Sequence, residues 1–500
     1  MQKKSIITFI AFCLPYFYVF AQKDSLLNKN LNKKGIVTTQ HQINIAGKTL
    51  KYTAQTGYLT LQDEYGKEKA NIFFIAYQQD GLKETDISQR PITFCFNGGP
   101  GSASLWLHLG CIGPKRVLMR NDKGDPLHPP YRYTDNEYSW LDKTDLVFID
   151  PVNTGYSRAA KDEKPAQFLG YVEDIESVGE FIRLYCSTFK RWASPKYLAG
   201  ESYGTTRAAG LANYLQDRYN LYFNGLVLIS SILNFQTARF DKGNDLPYIL
   251  FLPTYTATAW YHKKLNSELQ SNLQKTLSEV ENFALGEYST FLMKGDLASE
   301  AETKNIAEKL TRYTGLSPEF LRNCHYRIEI GRFTKELLRK EGKTVGRLDS
   351  RFTGVDYDNA GERFEFDPSL NATISGPYAT AINQYLAQEL QFSSKIAYEV
   401  LTNRVQPWNY NNVQNRYLNV GEELRSAMSK NAGLKVWVAS GYYDLATPYF
   451  ATEYTFNHLF LRPEQKQRVK ITYYEAGHMM YIHRESLLKM RKDMEDFYKN

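Results

Sequence analysis

The chain has 500 residues, 43% hydrophobic and 23% charged, with a formal net charge of +7. That length exceeds one minimal domain and suits a large α/β core carrying a sizeable insertion. The charge is spread thinly, with no basic block interleaved with aromatics and no zinc-knuckle spacing, so no nucleic-acid partner is expected. No metal or cofactor is implied. The start reads as an export signal: Lys3 and Lys4, an apolar run over 6–20, and a small-residue cleavage site at Val19-Phe20-Ala21. Removal of residues 1–21 would leave an exported protein, periplasmic or extracellular, without a membrane span. Residues 22–45 are polar and are expected to be loosely held. Alternating segments at 57–61 and 70–77, around a turn at 63–66, predict an N-terminal antiparallel hairpin.

Apolar runs follow at 92–96, 146–149, 197–199, 226–229 and 436–439. Near-continuous apolar strands are what a sheet covered on both faces requires. Helical stretches at 172–189 and 205–219 alternate with them, which argues for an α/β fold around a mostly parallel sheet. The interval 234–405 interrupts the alternation with amphipathic helices at 268–283, 300–314 and 319–341 and no evident buried strand. It is expected to be a large helical lid insertion between two parts of the core, 22–233 and 406–500. The sheet resumes at Lys435, has its last strand at 469–474, and a helix over 485–498 closes the chain. Four cysteines remain after residue 21: Cys95, Cys111, Cys186 and Cys324. Export permits disulfides, three pairings are open, and Cys95 with Cys111 is the first pair to inspect.

The chemistry is concentrated in Gly200-Glu201-Ser202-Tyr203-Gly204, which lies between a short apolar strand and a helix. In that context Gly-x-Ser-x-Gly exposes a serine hydroxyl on a turn too tight for flanking β-carbons. A serine needs a base and a group that orients the base, in the chain order Ser, Asp or Glu, His for this architecture. Asp444 follows the strand 436–439 and His478 follows 469–474, so each falls at a strand end. His108, His128 and His262 adjoin the wrong elements, and His483 lies further on towards the last helix. Asn97-Gly98-Gly99-Pro100-Gly101, after the strand 92–96, can bring backbone N–H groups to an oxyanion. The aromatic share of 14%, with 37 Tyr, favours broad aromatic surfaces or a lined cleft.

These residues resemble the serine carboxypeptidases, which are α/β-hydrolases. The resemblance rests on Asn97-Gly98-Gly99-Pro100-Gly101-Ser102-Ala103-Ser104, Gly200-Glu201-Ser202-Tyr203-Gly204, Ser440-Gly441-Tyr442-Tyr443-Asp444 and Gly477-His478. Weaker matches are Thr56-Gly57-Tyr58, Asp150-Pro151 and Gly155-Tyr156-Ser157. The resemblance implies Ser202 as nucleophile, His478 as base and Asp444 as its orienter. It implies an oxyanion hole from the Gly99 and Tyr203 amides. It also implies that Asn97, Gly98 and Glu201 bind the free C-terminal carboxylate of a peptide substrate. Glu201 would then have to carry a proton, so binding should weaken as pH rises. Three positions depart from the family pattern: Cys95 and Ser102 stand where a Trp and a Cys are usual, and Cys111, ahead of Gly113-Pro114, where many members have a second Glu. An esterase or acyltransferase would share the same acyl-enzyme chemistry. A non-catalytic binding module on this scaffold would not need an intact Ser, Asp and His set.

Overall fold

The computed structural model describes residues 35–499, and the expected export signal at 1–21 lies outside the described residues. The strands of its main sheet are β1 (Val37–Ile45), β2 (Lys48–Gln62), β3 (Glu68–Gln79), β4 (Ile92–Phe96) and β5 (Asp145–Ile149). The short β6 (Arg158–Ala159) is followed by β7 (Lys196–Ser202), β8 (Gly225–Ser231), β9 (Lys435–Gly441) and β10 (Val469–Tyr474). In space they run β1-β2-β3-β5-β4-β7-β8-β9-β10, with β6 against β3. Pairings from β1 through β3 to β5 are antiparallel, and those from β5 to β10 are parallel. This is the α/β-hydrolase architecture, a mostly parallel sheet with an antiparallel N-terminal edge.

The apolar strands are buried on both faces because their side chains alternate between two cores. Ile92, Phe94 and Phe96 of β4 and Leu226 and Leu228 of β8 enter one core. Cys95, Val227 and Ile229 enter the other. The first core is covered by α1 (Tyr171–Thr188) and α2 (Tyr203–Tyr219). The insertion begins with α3 (Leu246–Tyr261), α4 (Leu273–Phe283) and α5 (Glu300–Thr314), which have a core of their own. That third core also takes in Tyr443, Leu445 and Tyr449, just after β9. Later in the insertion, α6 (Ser375–Gln388) joins the second core of the sheet, as does the terminal α7 (Arg484–Tyr498).

Five expectations need correction. Residues 37–45 are not loose: they pair with β2 from Val37↔Thr56 to Ile45↔Lys48. Thr38, Gln40, Gln42 and Asn44 are exposed while Thr39, Ile43 and Ile45 are buried, so the polar composition is the wet face of an edge strand. The run 268–283 is split into Ser267–Gln270 and α4, because the Asn272 side chain accepts from the Lys275 N–H and restarts the helix. The run 319–341 is likewise divided, into Pro318–Asn323, Ile330–Glu336 and the turn Arg339–Glu341. His325 and Tyr326, at φ 52° and 60°, break it. The insertion also contains a short buried strand, Thr344–Val345, paired with Thr353–Gly354. Finally, Cys95, Cys111, Cys186 and Cys324 are all free and buried, so none of the open disulfide pairings forms. Each packs as a small apolar side chain.

Candidate active site

β7 delivers Glu201 and Ser202, and α2 starts at Tyr203. Ser202 sits at φ 60°, ψ −129°, a conformation costly for any residue with a side chain. The turn is closed around it. A Cβ on Gly200 would lie 2.2 Å from the Gly204 carbonyl oxygen, and one on Gly204 2.8 Å from that of Phe96. The glycine loop after β4 meets the same turn: a Cβ on Gly98 would lie 2.4 Å from the Tyr203 nitrogen, and Gly99 has φ +104°. The loop is held from the far side, where Thr402 N–H donates to Gly101 O at 2.9 Å and Ala103 N–H to Val400 O at 3.0 Å.

Asp444 is fully buried and every lone pair it offers is used. Oδ1 accepts from the N–H groups of Ala446 (2.8 Å) and Thr447 (3.0 Å). Oδ2 accepts from Thr447 Oγ1 and faces His478 Nδ1, each at 2.7 Å. Burial pulls the His478 ring towards neutrality, but the Asp444 charge and hydrogen bond, with Glu201 nearby, outweigh it and hold its pKa above the ordinary value. The imidazole loop is anchored from three sides. His478 N–H donates to Leu348 O (2.7 Å), Ser230 Oγ donates to His478 O (2.7 Å), and Gly477 N–H donates to Asp349 Oδ2 (3.1 Å).

Glu201 is 3% exposed. Asn97 Nδ2 donates to its Oε1 at 2.9 Å and the Tyr481 hydroxyl to its Oε2 at 2.7 Å. Burial, assisted by the Asp444 charge, pushes its pKa up to about 7 against the lowering influence of His478, Tyr481 and Asn97. Asn97 is fixed in turn: its Oδ1 accepts from Leu107 N–H at 3.0 Å, and its carbonyl accepts from Arg207 at 2.7 Å. Arg207 is itself buried and paired with Asp174 of α1 at 2.7 Å.

A cleft of ≈ 450 Å³ collects these groups. Asn97, Gly98, Gly99, Glu201, Ser202, Tyr203 and His478 all line it, and Asp444 stands behind His478. The insertion contributes Arg239, Arg347 and Ile374 to the wall. Every site residue expected from the sequence is therefore at or directly behind one cleft. Tyr481, Thr447, Asp349 and Arg207 were not anticipated, because they belong to no local motif. Only the placement of Tyr481 three residues after His478 was available as a hint. His108 is a core residue, buried beside the Tyr77 hydroxyl at 2.7 Å with its pKa pushed down to about 3 by burial. Among the described residues no helix is long and apolar enough to cross a membrane.

A sequence profile described as serine carboxypeptidase matches residues 45–490. The chain belongs to the serine carboxypeptidase family. Among relatives, the pheromone-processing carboxypeptidase KEX1 of Yarrowia lipolytica is 28% identical over 179 residues, 33% of this chain and 26% of that protein. Serine carboxypeptidase-like 22 of Arabidopsis thaliana is 23% identical over 423 residues, 81% of this chain and 77% of that protein. The match spans less than half the length of several of these family relatives, 26% to 46% of each. The crystal structure of a KEX1 prohormone-processing carboxypeptidase from Saccharomyces cerevisiae superposes with a TM-score of 0.53 at 18% identity, covering 89% of this chain and 91% of that one. At that identity the family member shares the fold.

Proposed function

We propose that the protein is an exported serine-type carboxypeptidase that releases the C-terminal residue of peptides. The observation that carries this reading is the buried Glu201–Asn97 pair in the same cleft as Ser202 and His478. A carboxyl group that keeps its proton to about pH 7 can donate a hydrogen bond to a substrate carboxylate. An ester or an internal peptide bond presents nothing for it to bind, which favours the carboxypeptidase over an esterase or acyltransferase.

In this mechanism Ser202 Oγ attacks the scissile carbonyl carbon while His478 takes its proton. The developing oxyanion is met by the Gly99 and Tyr203 N–H groups. His478 then passes the proton to the leaving amine as the C–N bond breaks, leaving an acyl group on Ser202 and freeing the C-terminal amino acid. Water, deprotonated by His478, attacks the acyl carbon, and Ser202 leaves with the proton. Asp444 holds the imidazole tautomer and stabilises its charged form. The steps need no metal or cofactor. The described residues of 22–233 and 406–500 form the core in this reading, and the insertion 234–405 acts as a lid by supplying the wall that carries Arg239 and Arg347.

The test compares an N-blocked dipeptide as free acid, as C-terminal amide and as simple ester, with wild type and Ser202→Ala. Ser202-dependent cleavage of the free acid in preference to the amide is expected. Turnover of the ester with no cleavage of the free acid would move the assignment to an esterase or acyltransferase. Binding of the free acid without Ser202-dependent turnover of any substrate would indicate a non-catalytic module.

A further inference from the structure

Glu201 is held by two donors of different character. The Asn97 amide can only donate from Nδ2, so its partner Oε1 must accept. The Tyr481 hydroxyl donates to Oε2 at 2.7 Å, a bond that is strongest when Glu201 is ionised. Tyr481 is 2% exposed, and the fold makes room for its ring: a Cβ on Gly110 would lie 2.2 Å from its Cε2. Gly110 belongs to the buried turn His108–Ile112, and the next residue, Cys111, is within electrostatic reach of Glu201 with its thiol pushed well up by burial. The other groups in electrostatic reach are His478, Asp444 and the phenol of Tyr378. Glu201 is therefore in contact with neutral hydroxyl and amide groups, with the Cys111 thiol and the His478–Asp444 pair within electrostatic reach.

We propose that Tyr481 is a positioning residue for Glu201, whose hydroxyl fixes the carboxyl towards Asn97 and sets the pH above which a free C-terminus is no longer bound. This inference rests on the carboxypeptidase reading. A donor to the ionised form favours that form, so the Tyr481 hydrogen bond holds the Glu201 pKa lower than burial alone would. Loss of the hydroxyl leaves Glu201 protonated to higher pH. The protonated form binds the substrate carboxylate, so the rise of KM with pH should begin later.

The experiment measures KM and kcat for an N-blocked dipeptide free acid between pH 5 and pH 9 in wild type, Tyr481→Phe and Glu201→Gln, with the ester as a second substrate in each. The alkaline rise of KM in Tyr481→Phe is expected to move up by about one pH unit. Glu201→Gln, which cannot titrate, should flatten it. An unmoved limb in Tyr481→Phe, with Glu201→Gln flattening it, would overturn the role of Tyr481 and leave the carboxylate reading standing. An alkaline limb that survives Glu201→Gln would overturn the carboxylate reading itself. A parallel loss of kcat on free acid and ester, without a shift of the limb, would show that Tyr481 only packs against Gly110. Ester turnover in the same samples reports that the site is folded.

Discussion

At the scale of single residues, the site depends on two buried groups whose pKa values rise for opposite reasons. His478 is raised above its ordinary value because Asp444 and Glu201 outweigh its burial, so it becomes a competent base only as pH climbs. Glu201 is raised to about 7 by burial, so it loses the proton it needs for carboxylate binding as pH climbs through that value. For a peptide with a free C-terminus, kcat/KM should rise on the His478 limb and fall on the Glu201 limb. For an ester lacking the carboxylate the alkaline fall should be missing. Matched pH profiles of the two substrates check this. Identical profiles would mean that Glu201 does not read the C-terminus.

At the scale of elements, backbone approaches position the reactive groups. The glycine loop lies so close to the turn between β7 and α2 that a Cβ on Gly98 would meet the Tyr203 nitrogen at 2.4 Å and the Glu201 carbonyl oxygen at 2.8 Å. Both are backbone atoms and cannot swing aside. Gly98→Ala should therefore displace the loop and weaken the oxyanion site, lowering kcat by roughly 10²- to 10³-fold, with far-UV circular dichroism unchanged. Retention of wild-type kcat would show that the loop does not contribute. The local part of this arrangement was legible in the sequence. Gly200, Ser202 and Gly204 constrain one another within a single turn, and Asp444 and His478 each follow an apolar run that reads as a strand. What was not legible depends on contacts distant in the chain. Thr38 and Gln40 look like tail residues until β2 is paired beside them. Asn272 looks like one more polar position on a helix until its side chain caps the next one. Tyr481 looks like a core aromatic until β7 brings Glu201 to it.

At the scale of the whole molecule, the cleft lies between the sheet and the insertion, and the two sides differ in charge. The sheet side carries Glu201, neutral when it binds substrate. The insertion side carries Arg239, over the Phe235 ring at 5.7 Å, and Arg347, both exposed. Peptides with an acidic residue beside the scissile bond should therefore be turned over faster than those with lysine there, and the preference should shrink as salt rises. Ratios of kcat/KM for Glu- and Lys-containing dipeptides, at low and high ionic strength, in wild type and in Arg239→Glu/Arg347→Glu, measure it. A lysine preference that the double variant leaves unchanged would contradict this role for the wall.

The central claim, that Ser202 carries the acyl group in C-terminal peptide cleavage, is tested most directly by labelling with a fluorophosphonate. Adduct formation, located by peptide mass, is followed alongside the remaining release of the C-terminal residue. The account predicts a single adduct on Ser202, with release lost in proportion to labelling and no adduct in Ser202→Ala. An adduct on another residue, or release that persists when Ser202 is fully labelled, would contradict it.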